Sequence, residues 1–101
     1  MKNFDRNAKL AQLSSIAFTD HALQRMTGRR INNEDVENVM LFGREVHTRG
    51  ASIFVIGRKE VTQYLVKGVD LRRQEGVQVV CSPDGAVLTV YRNHDFSSLK
   101  H

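Results

Sequence analysis

Pro83-Asp84-Gly85 stands between two runs rich in β-branched residues, VQVVCS (77–82) and AVLTVYRN (86–93). Nothing else in the chain constrains the fold as tightly. Proline presets φ for the first turn position, and glycine supplies the positive φ that closes the reversal. Two such runs around such a turn predict an antiparallel hairpin. Val77, Val79 and Cys81 alternate onto one face of the first strand. In the second, alternation predicts Leu88, Val90 and Arg92 on one face and Val87, Thr89 and Tyr91 on the other.

The N-terminal half has a helical period instead. Thr19 is an N-cap residue, Asp20 suits the positive end of a helix, and Phe18 is placed to pack on Leu23 as a hydrophobic staple. Ala22, Leu23 and Met26 form one face, and Gly28 ends the run. His21, Arg25 and Arg29 fall at i, i+4 and i+8 on its flank, which puts them in one stripe. Asn32 caps a second helix, with Asp35 three residues on and Glu34 in the first turn; Val36, Val39 and Met40 repeat at helical spacing as far as Gly43. The short link between the helices predicts an antiparallel or crossed pair.

After Gly43 the period shortens. REVHTR reads as a strand, Gly50-Ala51 as a turn, and SIFVIG as a buried strand. In residues 58–67, Val61, Tyr64 and Leu65 share one helical face with Gly68, and Lys59, Glu60, Gln63 and Lys67 take the other. That pattern predicts a third helix ending at Gly68, followed by a charged loop from Asp70 to Gly76. The order α-α-β-β-α-β-β predicts an α+β fold, with two N-terminal helices packed on a small antiparallel sheet and a short inserted helix. Residues 1–17 are expected to form a lead-in with a short helix from Asn7 to Leu13, 18–93 a single domain, and 94–101 a polar tail.

Size and charge narrow the function classes. A chain of 101 residues, 41% apolar, supports one modest core. It contains no apolar run near the ~20 residues of a membrane helix. MKNFDRNAKLAQLSS lacks the apolar stretch of a secretory signal, so a cytoplasmic location is expected. One cysteine, Cys81, excludes a disulfide framework and a cysteine-rich zinc site, and its strand neighbours predict a small buried hydrophobe. Fifteen Lys+Arg against eleven Asp+Glu give +4, which favours a polyanionic partner such as RNA or an acidic protein. Arginine dominates, and guanidinium grips phosphate bidentately.

FTDHALQRMTGRRINNEDVENVMLFG together with DGAVLTVYRN resembles the DUF4258 family. That family carries a Ser/Thr-x-His-Ala-x-x-Arg-Met-x-x-Arg helix, an acidic second helix ending at glycine, and a late Gly-x-[IV]-x-Thr-[VA]-[YW] strand. The resemblance covers about residues 18–93. It implies a fold similar to the RelE/ParE-like toxins, small α+β domains with helices on an antiparallel sheet. If the chain is a toxin, the resemblance also implies an antitoxin-like protein partner.

RNA cleavage needs a base for the 2′-hydroxyl, positive charge on the phosphorane and a proton for the leaving oxygen. The candidates are His21 and Arg25, one helical turn apart, with Tyr91 as a third catalytic residue and Arg29, Arg58 and Arg92 as substrate-binding residues. A cation at i+4 favours the neutral imidazole, the form a base requires. The other roles are structural. His21 can bond Asp20 or a loop carbonyl, Arg25 can pair with Glu34, Asp35 or Glu37, and Tyr91 can fill a core edge. The four histidines form no metal-ligand spacing, so neither metal nor cofactor is expected. The expected function is a metal-independent ribonuclease or toxin-like effector. The alternatives are a non-catalytic protein- or nucleic-acid-binding module of the same fold and an inactive descendant.

Overall fold

The computed structural model describes residues 16–94. The expected Asn7–Leu13 helix and the tail beyond His94 lie outside the described residues.

Thr19 is extended, and its hydroxyl accepts from the Ala22 amide at 3.1 Å, which starts α1 (Asp20–Gly28). The same hydroxyl donates to the Leu88 carbonyl at 3.0 Å, so the cap also anchors the helix start to the last strand. Phe18 is half-buried against the core and bridges in parallel to Val87, whereas Leu23 is 47% exposed. The staple partner expected for Phe18 therefore lies at the surface.

α1 ends in a Schellman arrangement. The Arg30 amide donates to the Thr27 carbonyl and the Ile31 amide to the Met26 carbonyl, with Ile31 and Met26 both buried. The left-handed residue is Arg30, at φ 55°, and not the expected Gly28. A side chain is strained there. Arg30→Gly is therefore expected to stabilise the protein by about 0.5–1 kcal/mol, read as a higher urea midpoint at unchanged slope.

Asn32 caps α2 (Asn33–Phe42) through a reciprocal pair: its Oδ1 accepts from the Asp35 amide at 2.8 Å, and its own amide donates to Asp35 Oδ2 at 3.0 Å. Then follow β1 (Arg44–Thr48), β2 (Ala51–Val55), α3 (Arg58–Leu65), a single 3-10 turn (Arg72–Gln74), β3 (Val77–Cys81) and β4 (Val87–Arg92). The fold is α+β. The strands pair antiparallel in sequence order, so α3 and the 3-10 turn are an insertion between neighbouring strands β2 and β3. α1 packs over β4, and α2 over β3 and β2. Ala22, Met26, Val36, Val39, Val77, Val79, Val87 and Val90 form the centre of the core between these layers.

Three expectations need correction. A register shift at Val80/Cys81 places Val87 opposite Cys81 and Thr89 opposite Val80. The β-bulge interrupts the alternation, so Val87 joins Val90 on the helix-facing side and both are fully buried. Glu60, expected on the solvent side of the third helix, is 5% exposed. Its Oε1 accepts from the Gly57 amide at 2.8 Å, and its Oε2 lies 3.9 Å from Arg44 Nε. An acid three residues past a glycine N-cap folds back onto the helix start, and this pulls Glu60 inward. Leu65, expected to face inward, is 47% exposed.

Candidate functional site

The stripe expected on α1 is present. His21, Gln24, Arg25, Gly28 and Arg29 line one shallow groove of about 440 Å³. These positions are i, i+3, i+4, i+7 and i+8, the complete set that one helix face presents. Gln24 is the groove residue that the sequence reading missed, although its i+3 spacing from His21 was a signal that could have found it. Gly28 leaves the groove open at that point, since a Cβ there would meet nothing within 4 Å.

Arg25 Nε donates to His21 Nε2 at 3.5 Å. The contact sets the imidazole edge beside a guanidinium. Among the described residues, neither Arg25 nor Arg29 forms an ion pair with a carboxylate. Asp35, considered as a partner for Arg25, is taken by Arg73, whose Nε lies 3.4 Å from Asp35 Oδ1. Among the described residues, the groove thus combines one acid–base group with two exposed guanidiniums and no carboxylate to neutralise them.

The structure does not bring the remaining candidates to this groove. Tyr91 is half-buried opposite Gln78 in the sheet, on the face turned away from the Val79–Val90 pair that packs under the helices. Arg92 lies at the far end of β4 and donates Nη1 to the Arg73 carbonyl at 3.0 Å. Arg58 is the first residue of α3. Two of these groups are on a bulged strand and one is on a separate helix, so no local spacing ties them to α1.

The polar interior lies elsewhere. Asp35, fully buried, accepts from Gln74 Nε2 at 2.7 Å as well as from Asn32. Gln74 is 3% exposed, and its Oε1 has no hydrogen-bond partner among the described residues. Gln78, 2% exposed, donates to the Asn93 carbonyl at 3.2 Å. These contacts join α2 to the loop before β3 and tie β3 to the chain after β4, away from the α1 groove.

Electrostatics removes one nucleophile. Burial pushes the Cys81 thiol up to about 11, with the Glu45 charge adding to the effect, so it stays protonated at neutral pH. Asp70 is held down at about 2 by hydrogen bonds from the Arg72 side chain and amide, a surface clasp in the 70–76 loop. Among the described residues, no group of three His, Cys, Asp or Glu side chains is placed to hold a metal ion. Among them also, no helix is long and apolar enough to cross a membrane.

No curated protein and no solved structure matches this chain. A family model, the domain of unknown function DUF4258, matches residues 18–92. That span runs from the residue before the Thr19 cap to the end of β4, and so contains all three α-helices, the groove and the whole sheet. The chain belongs to the DUF4258 family.

Proposed function

We propose that this chain is a metal-independent ribonuclease or toxin-like effector that takes single-stranded RNA along the α1 groove. The carrying observation is the His21–Arg25 pair, 3.5 Å apart at the groove, with Arg29 one turn further along. Residues four apart on a helix are about 6 Å apart along its axis, a spacing suited to successive charged groups of an extended polyanion. His21 would take the 2′-hydroxyl proton, and the 2′-oxygen would attack phosphorus. The P–O5′ bond would break, leaving a 2′,3′-cyclic phosphate and a 5′-hydroxyl protonated by water. Arg25 and Arg29 would hold the charge that collects on the phosphorane oxygens.

The similarity to RelE/ParE-like toxins belongs to this proposal, as do a cytoplasmic location and an antitoxin-like partner. One observation favours a second reading, a nucleic-acid- or protein-binding module. Among the described residues the groove contains a single acid–base group, because Tyr91 is on the sheet's other face.

Purified protein with an unstructured RNA, beside His21→Ala and Arg25→Ala, separates the two readings. Catalysis predicts a loss of about 10²-fold or more in cleavage for each variant. Binding without cleavage supports the module. In that case log K falls with log salt by about 0.7 per phosphate contact, and Arg29→Ala removes about one such unit. Absence of both cleavage and salt-dependent binding defeats the ribonuclease and the nucleic-acid-binding readings and leaves the protein-binding module.

A further inference from the structure

We propose that β1 pairs antiparallel with the β1 of a second copy of this chain, across a two-fold axis at Val46. The sheet order leaves β1 at an edge, and four of its five residues are exposed, with Val46 half-buried. α1 and α2 pack on β4, β3 and β2, so the outer edge of β1 lies beyond the helix layer.

The hydrogen-bonding direction of each β1 residue follows from the ladder. Ile56 turns both its amide and its carbonyl to the β3 side, donating to the Val77 carbonyl and accepting from the Gly76 amide. Alternation then turns Val55, Ile53 and Ala51 toward β1, opposite Arg44, Val46 and Thr48. Glu45 and His47 are left with their amides and carbonyls pointing outward from the sheet.

That pattern is self-complementary. With Val46 on the axis, Glu45 of one copy falls opposite His47 of the other, and each such pair exchanges two backbone hydrogen bonds. Val46 meets its own counterpart as a non-hydrogen-bonded pair, where side chains approach most closely. The side chains agree with the backbone. Glu45 and His47 share a face and already attract each other within one strand, with His47 Nε2 3.6 Å from Glu45 Oε2, so the cross-strand pairs match acid with imidazole. On the opposite face Val46 continues a half-buried row with Ile53, Val80 and Thr89. A copy related by the two-fold extends that row across the junction. A two-fold contact uses one patch twice, so it closes at two copies and blocks further edge growth.

A five-residue edge makes a small interface, so the association is expected to be weak and concentration-dependent. Sedimentation velocity between about 5 and 500 µM is expected to show a monomer–dimer shift. Hydrogen exchange over the same series is expected to slow at the Glu45 and His47 amides, while Val46 and Thr48 are unchanged. His47→Pro removes one outward amide and leaves the β1–β2 ladder bonds in place, so it is expected to stay monomeric at unchanged melting temperature. Glu45→Lys is expected to weaken the dimer, and the exchanged pair Glu45→His with His47→Glu to restore it. A monomer at every concentration overturns the proposal, as does a dimer in which those two amides exchange freely or which His47→Pro leaves intact.

Discussion

Asp35→Ala is expected to lower the stability of this protein by about 3 kcal/mol, the largest single-site effect outside the groove. The carboxylate is fully buried and serves three groups at once. It accepts from the Asn32 amide at 3.0 Å and from Gln74 Nε2 at 2.7 Å, and it lies 3.4 Å from Arg73 Nε. Alanine removes the capping-box acid and leaves the Gln74 amide with a buried, unpaired donor, each a cost of about 1–2 kcal/mol. Arg73 contributes less, because its side chain is 65% exposed and regains water. Asp35→Asn is expected to cost less than half as much. Gln74 Oε1 has no partner among the described residues, so a flipped Gln74 amide can accept from the side-chain nitrogen that this substitution introduces, which restores one bond. Urea unfolding of the three proteins checks the order. A loss below about 1 kcal/mol for Asp35→Ala would show that Gln74 finds water when the carboxylate is gone.

Gly43→Ala is expected to cost about 2–3 kcal/mol for a different reason. Gly43 lies at φ −71° and ψ 158°, backbone that any residue adopts, so the glycine is not required by its dihedrals. It is required by space. A Cβ there would collide with the carbonyl oxygens of Val39 and Val55, where the end of α2 crosses close over β2. Both obstacles are backbone, and neither moves without shifting α2 or the sheet. Gly28→Ala is the internal comparison. Its Cβ meets nothing within 4 Å, and helix propensity there favours alanine by up to about 1 kcal/mol. Thermal or urea unfolding should therefore move in opposite directions for the two substitutions. Equal effects would mean that α2 slides away from Val55 at little cost.

Features governed by neighbours a few residues apart were legible in the sequence. The Thr19 cap and the Asn32–Asp35 box involve groups three residues apart, and both are present. The His21–Arg25–Arg29 stripe needed only the helical period, and these three side chains do line one groove. Misplaced features depended on distant partners. Asp35 was readable as a capping acid, but its bond to Gln74 spans 39 residues, so its burial was not. Arg92 carries the same guanidinium as the groove arginines, and the sheet places it and Tyr91 away from α1. Val87 changed sides because one bulge inverts the alternation upstream of it. Arg30 took the left-handed position because the Met26–Ile31 contact aligns the Schellman bonds at that residue.

The order of helices and strands, the caps and the composition of the α1 face were thus decided by the sequence alone. Each rests on a bond or period closed within about one helical turn or one hairpin, where little chain entropy opposes the contact. Which side of the sheet each strand residue faces, which acids are buried, and that Arg58, Tyr91 and Arg92 stay away from the groove were decided only by the tertiary structure. Those outcomes follow from packing α1 and α2 onto β4, β3 and β2, and from a strand bulge that no local spacing encodes.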